Sequence, residues 1–144
     1  ANARAMIDAG ERARFDSHYL LDLAGRGIRA MEYDRTRKVY YIIAGEKDAE
    51  NRFSIYSWDG AEELTELLPL DSANKFNPEA MFVREDELYL LSDDGAIEVK
   101  VSSESECVPG EMLANGLCPN KYLIDENKRT FRMRKISLQE LGVR

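Results

Sequence analysis

Residues 30–45, AMEYDRTRKVYYIIAG, and residues 80–95, AMFVREDELYLLSDDG, align without a gap: an Ala-Met start, a charged turn, an apolar strand and a closing glycine. No other feature constrains the chain so much. A period of 50 residues carrying several strands is what propeller blades produce, because one four-stranded unit cannot bury both of its faces alone. The expected architecture is all-β, built of antiparallel propeller-like blades. Two consecutive blade repeats fall at about 17–70 and 71–144, as part of a larger β-propeller.

Period and breakers place strands near 18–23, 28–33, 38–43, 53–58 and 64–68, then 79–83, 87–92, 97–101 and 130–137. VYYIIA and LYLLS are apolar at consecutive positions, which predicts strands covered on both faces. FRMR (131–134) alternates and should have one wet face. The Ser-, Glu-, Gly- and Pro-containing stretch 102–128 lacks periodicity and reads as a loop insertion in the second unit. Residues 1–16 form an N-terminal extension that could be a short helix, and SLQELGVR at the end a helical turn. The start, ANARAMIDAGERARF, has no initiator methionine and no apolar signal core, so it reads as a processed or fragmentary start.

Composition excludes some partners. Lys plus Arg is 20 against 27 for Asp plus Glu, and the resulting charge of −7, with no basic cluster interleaved with aromatics, argues against nucleic acid. No apolar run approaches the roughly 20 residues of a membrane span. Two blades cannot close a ring, so apolar faces must be covered by self-association, by the missing blades, or by the two units closing on each other as a small sandwich. The spacing of Cys107 and Cys118 is compatible with a disulfide or with two thiols. The compartment stays open, and the two thiols are expected to be reduced, as in the cytoplasm, unless the protein is exported.

The set GRGIRAMEYD, YYIIAG, FSIYSWDG, NPEAMFV and LYLLSDDG resembles a domain-of-unknown-function family of bacterial proteins with a propeller-like fold. The resemblance covers roughly residues 20–137 and corresponds to the C-terminal part of such a protein. It implies a fold and no reaction.

The candidate site residues come from the repeat. Arg29 falls on Glu79 when the units are aligned, so both should begin equivalent inner strands near the axis, where an Arg can pair with a carboxylate or hold an anionic small molecule. Glu32 and Asn77 could join them in a ligand site. A salt bridge tying the units is the simpler account of the pair.

Asp59-Gly60 and Asp94-Gly95 carry the hairpin-turn signature. Asp94 is expected to make its turn, so that Asp94→Asn should be nearly neutral, while Asp93 points towards the neighbouring strand on the side of Glu79. Glu79, Asp93 and Asp94 are then candidate metal ligands, with Ca²⁺ the cation such oxygens would suit. More distantly, the Glu79–Asp93 pairing is similar to phytase-like and gluconolactonase-like propellers, which implies a calcium ion in the channel. His18 has no nucleophile to activate. No CxxC, G-x-S-x-G, H-E-x-x-H or phosphate-loop motif is present. A non-catalytic binding or scaffolding module is the favoured reading, and a fragment of a metal-assisted hydrolase of phosphate esters or lactones is the alternative.

Overall fold

The computed structural model describes residues 2–15, 17–46, 52–70 and 75–143. Among the described residues the fold is all-β apart from one short helix, α1 (Ala3–Ala9), and single 3-10 turns. Strands β1 (Gly27–Asp34), β2 (Val39–Gly45), β3 (Phe53–Trp58) and β4 (Leu64–Leu70) form a four-stranded antiparallel meander in the order β1-β2-β3-β4. Strands β5 (Pro78–Arg84) and β6 (Glu87–Ser92) form a second hairpin, and β9 (Met133–Ser137) joins β6 to complete a three-stranded sheet. Between them, β7 (Glu98–Lys100) pairs with β8 (Leu117–Pro119).

Local chemistry accounts for these elements. The β-branched and aromatic run VYYII suits a pleated strand, and from Tyr41 to Ala44 every residue is fully buried, so β2 is covered on both faces as expected. Pro69 cannot donate a ladder hydrogen bond, and it lies in β4, which pairs only with β3 at the edge of its sheet. Pro78 opens β5, the other position that a proline tolerates.

One face of the first sheet packs on the second. Tyr41, Ile43, Phe53 and Ile55 meet Leu88, Leu90, Ile136 and Leu138 in the main core, and β1 lies against β5. The opposite face of the first sheet, Ile42, Ala44 and Tyr56, is covered by Leu21 and Leu23 from the chain preceding β1. Those residues were expected to form a strand at 18–23, and they do not, because no strand pairs with them: the Leu23 side chain is buried, and its carbonyl accepts from the Tyr56 hydroxyl. LYLLS also departs from expectation. Leu88, Leu90 and Ser92 are buried and alternate with partly exposed Tyr89 and Leu91, so β6 is covered on one face only.

The two hairpins match in pairing, with a register break between residues 28 and 30 in one and between 78 and 80 in the other. Their turns differ. Asp34 pairs with Val39 across a four-residue connection, whereas Arg84 pairs with Glu87 across two residues. Tyr41 therefore stands opposite residue 32 as Tyr89 stands opposite residue 82, and the gapless alignment slips by two residues in the second strand. The position matching Ala44 is Ser92, opposite Pro78, and not Asp94.

The stretch read as a loop insertion is ordered. Cys107, Cys118 and Leu123 are buried together, with Val99, Val101, Met112 and Tyr122 packed around them. Cys107 and Cys118 form a disulfide, with Cα atoms 5.9 Å apart, which corrects the expectation of two thiols. A backbone bridge between Cys107 and Leu123, with the β7–β8 pairing, brings the two cysteines together. The chain end makes the expected helical turn, Leu141 N–H donating to Ser137 C=O.

Candidate functional site

Arg29 and Glu79 meet across the seam between the two sheets. Arg29 Nη1 donates to Glu79 Oε1 at 3.0 Å, and Nη2 donates to the carbonyl of Glu46 at 2.7 Å. Each residue sits at the register break of its own hairpin, which turns its side chain out of the strand alternation and towards the seam. Both side chains keep about a third of their surface in water (31% and 38%), so the pair is worth at most ~1 kcal/mol. Beside it, Gly25, Arg26, Gly27, Ile28, Arg29 and Gly45 line an open hollow of about 440 Å³. Gly45 is needed there for closeness: a Cβ would overlap the Phe53 ring and crowd Arg29 Nε.

The other two ligand candidates lie elsewhere. Asn77 acts through its backbone, its N–H donating to Ser92 Oγ and its C=O accepting from Asp93 N–H. Glu32 is three residues along β1 from Arg29, roughly 10 Å at strand spacing, and lines a separate hollow of about 300 Å³ with Asp34, Thr36, Val83 and Glu85.

The two aspartates of SDDG exchange the roles expected of them. Asp93 is exposed, and its Oδ1 accepts the N–H of Gly95 at 3.0 Å, which makes Asp93 the turn residue. Asp94 is buried and holds the sheet to the strand that returns from the insertion. Its Oδ1 accepts from Ser92 Oγ and Arg132 Nη2, both at 2.7 Å, and its Oδ2 accepts from Arg132 N–H at 2.7 Å and from Nε at 2.9 Å. The Arg132 guanidinium holds the Asp94 carboxyl below the usual range, against the opposing effect of burial, with Ser92 assisting. Gly95 does not need a positive φ here, unlike Gly60, which has φ +88° and follows Asp59, whose Oδ1 accepts from the N–H groups of Ala61 and Glu63 within the five-residue loop between β3 and β4.

The three metal candidates are thus divided among three tasks: Glu79 on Arg29, Asp93 on the turn, and Asp94 on Arg132. Among the described residues, no group of three or more His, Cys, Asp or Glu side chains is gathered closely enough to hold a metal ion.

Two contacts were not read from sequence. Arg132 lies in the alternating stretch 131–134, and nothing local marks it as the partner of a residue 38 positions away. At the hairpin tips, Arg37 bridges Asp34 and Asp86, joining the first sheet to the second at the end opposite Arg29–Glu79. The signal that could have found it is charge: the first tip reads RTRK and the second ED. No family model, curated protein or solved structure matches the chain.

Proposed function

We propose that this chain is a non-catalytic binding or scaffolding module made of two propeller-like blade units stacked head to tail. The observation that carries the reading is the choice of faces at the core. Tyr41 and Ile43 of the first hairpin pack on Leu88 and Leu90 of the second, whose pairing counterparts in the first are Tyr40 and Ile42, on the opposite face. Unlike faces are joined, as when one blade follows another around an axis, whereas two units closed as a symmetric sandwich would join like faces. The contact of β1 with β5, each the first strand of its sheet, fits the same arrangement. The family resemblance of the sequence motifs points the same way.

The non-catalytic part rests on the placement of the carboxylates: Glu79, Asp93 and Asp94 each engage a different partner, and they are not gathered at one point. The test is turnover of p-nitrophenyl phosphate and of a simple lactone, with and without millimolar calcium, together with thermal melting. Calcium at about 100 times its dissociation constant would add ~2.7 kcal/mol of stability. No turnover and no shift are expected. Calcium-dependent turnover abolished by Glu79→Gln would overturn the reading in favour of a metal-assisted hydrolase.

A further inference from the structure

The two sheets differ in their last strand. β3 carries β4 on its outer side, whereas β9, the third strand of its own sheet, has no strand beyond it among the described residues. Ser92 N–H donates to Arg132 C=O, and Leu138 N–H donates to Asp86 C=O. These bonds fix the alternation of the antiparallel ladder, so that the backbone groups of Arg134 and Ile136 turn inwards to β6 while the N–H and C=O of Met133 and Lys135 turn outwards. No group among the described residues meets the outward ones. Met133, Arg134 and Lys135 are all exposed. Prolines and bulges commonly blunt such an edge. Pro69 lies in β4, but β9 has no proline and pairs with β6 without a register break. Only the charges of Arg134 and Lys135 guard it, and a charge attracts some strands as it repels others.

The first sheet shows what fits there. Tyr41 and Tyr89 hold matching positions in the two hairpins, and carrying that match one strand further sets Lys135 in the place of Ser57, Arg134 in that of Tyr56 and Met133 in that of Ile55. Opposite Tyr56 stands Glu66 of β4. A strand laid on β9 as β4 is laid on β3 therefore puts a carboxylate opposite Arg134. Arg134 lacks one. Lys135 is paired with Glu87, Arg132 with Asp94, Arg129 with Glu126 and Lys128 with Glu106, but Arg134 meets no carboxylate among the described residues. β4 with the two residues before it, EELTELLPL (62–70), holds three Glu and neither Lys nor Arg, which makes it the model of a complementary strand. Two β9 edges joined from Met133 of one copy to Lys135 of another would instead set Arg134 against Arg134, and like charges directly opposite destabilise a pair of strands.

Resting on the reading of the chain as a binding module, we propose that the free edge of β9 docks an extended acidic segment of a partner protein, which adds as a fourth antiparallel strand with a Glu or Asp opposite Arg134. The outward backbone groups of Met133 and Lys135 hold the segment, and Arg134 selects it.

The probe is a synthetic peptide, EELTELLPL, labelled at its N-terminus and titrated against the full chain by fluorescence anisotropy. It should bind, and it should slow hydrogen exchange at the amides of Met133 and Lys135 while leaving those of Arg134 and Ile136, already bonded to β6, as they were. The uncharged peptide QQLTQLLPL should bind about tenfold more weakly. Arg134→Glu should weaken EELTELLPL by about the same factor and come to prefer KKLTKLLPL, a reversal that also shows the variant to be folded. Should Arg134→Glu fail to fold, Arg134→Gln should show the loss without the reversal. The proposal fails if EELTELLPL does not bind at millimolar concentration, if it binds without slowing exchange at Met133 and Lys135, or if replacing Arg134 leaves the order of the peptides unchanged. It also fails if those two amides become protected when the chain alone is concentrated, the result for a second copy filling the edge. None of these failures touches the non-catalytic reading, which turnover decides.

Discussion

Replacing Asp94 by asparagine is expected to cost about 2–3 kcal/mol, and replacing Asp93 by asparagine almost nothing. Asp94 accepts four hydrogen bonds, three of them from Arg132, and its side chain is only 5% exposed. Asparagine keeps one acceptor oxygen but turns an NH₂ group towards the guanidinium, so donors face donors and the cation loses its counter-charge. Breaking a fully buried pair in this way costs ~3–5 kcal/mol. Arg132 retains 36% of its side-chain surface, so water recovers part of that, and the lower figure follows.

Asp93 makes one bond, to Gly95 N–H, that an asparagine oxygen makes equally well, so its replacement should cost less than ~0.5 kcal/mol. In urea, with a slope of ~2 kcal/mol per molar, Asp94→Asn should lower the midpoint by about 1–1.5 M and Asp93→Asn by no more than ~0.25 M. The pH dependence has a definite sign. Arg132 depresses the folded-state pKa of Asp94 below the unfolded value of ~3.9, so its contribution is complete above about pH 5 and is lost as the pH falls through the lower folded value. The gap between wild type and Asp94→Asn should therefore narrow steadily below pH 4. Equal midpoints for the two variants at pH 7, or a larger loss at Asp93, would refute the assignment of roles.

Other consequences are as direct. Gly45→Ala should destabilise by about 1–3 kcal/mol, read from the urea midpoint, because the new methyl overlaps the buried Phe53 ring and crowds Arg29. Removing the disulfide as Cys107→Ser with Cys118→Ser should cost ~3 kcal/mol on the loop-closure account, given its sequence separation of 11, and should open residues 102–128 to proteolysis before the sheets. Thiol counting under denaturing conditions should find no free thiol in the oxidised protein. Tyr41→Phe should be neutral or slightly stabilising in thermal melts, since the hydroxyl is buried without a hydrogen-bond partner among the described residues and its pKa is raised chiefly by that burial.

What the amino-acid order alone determined was set by local forces. Strands at 53–58 and 87–92 were legible to the residue because apolar runs bounded by turn residues leave few alternatives, whereas Asp59-Gly60 marks a chain reversal but opens a five-residue loop, 59–63, in place of a two-residue hairpin turn. The Arg29–Glu79 contact was also legible, because both residues precede an Ala-Met strand start and the strand starts of the two sheets lie together. Tertiary structure decided whatever depended on a distant partner. Residues 18–23 have strand-like apolar content, but a strand needs a neighbouring strand for its backbone, and here the Leu23 carbonyl is met by the Tyr56 hydroxyl and the Arg26 N–H instead. The disulfide depended on how residues 102–128 fold back on themselves, which spacing does not encode. Asp93 and Asp94 are chemically identical and adjacent. Their division of labour arises because β9 returns to β6 with Arg132 just ahead of it, within reach of one carboxylate, while its neighbour on the opposite side of the backbone is left to the turn.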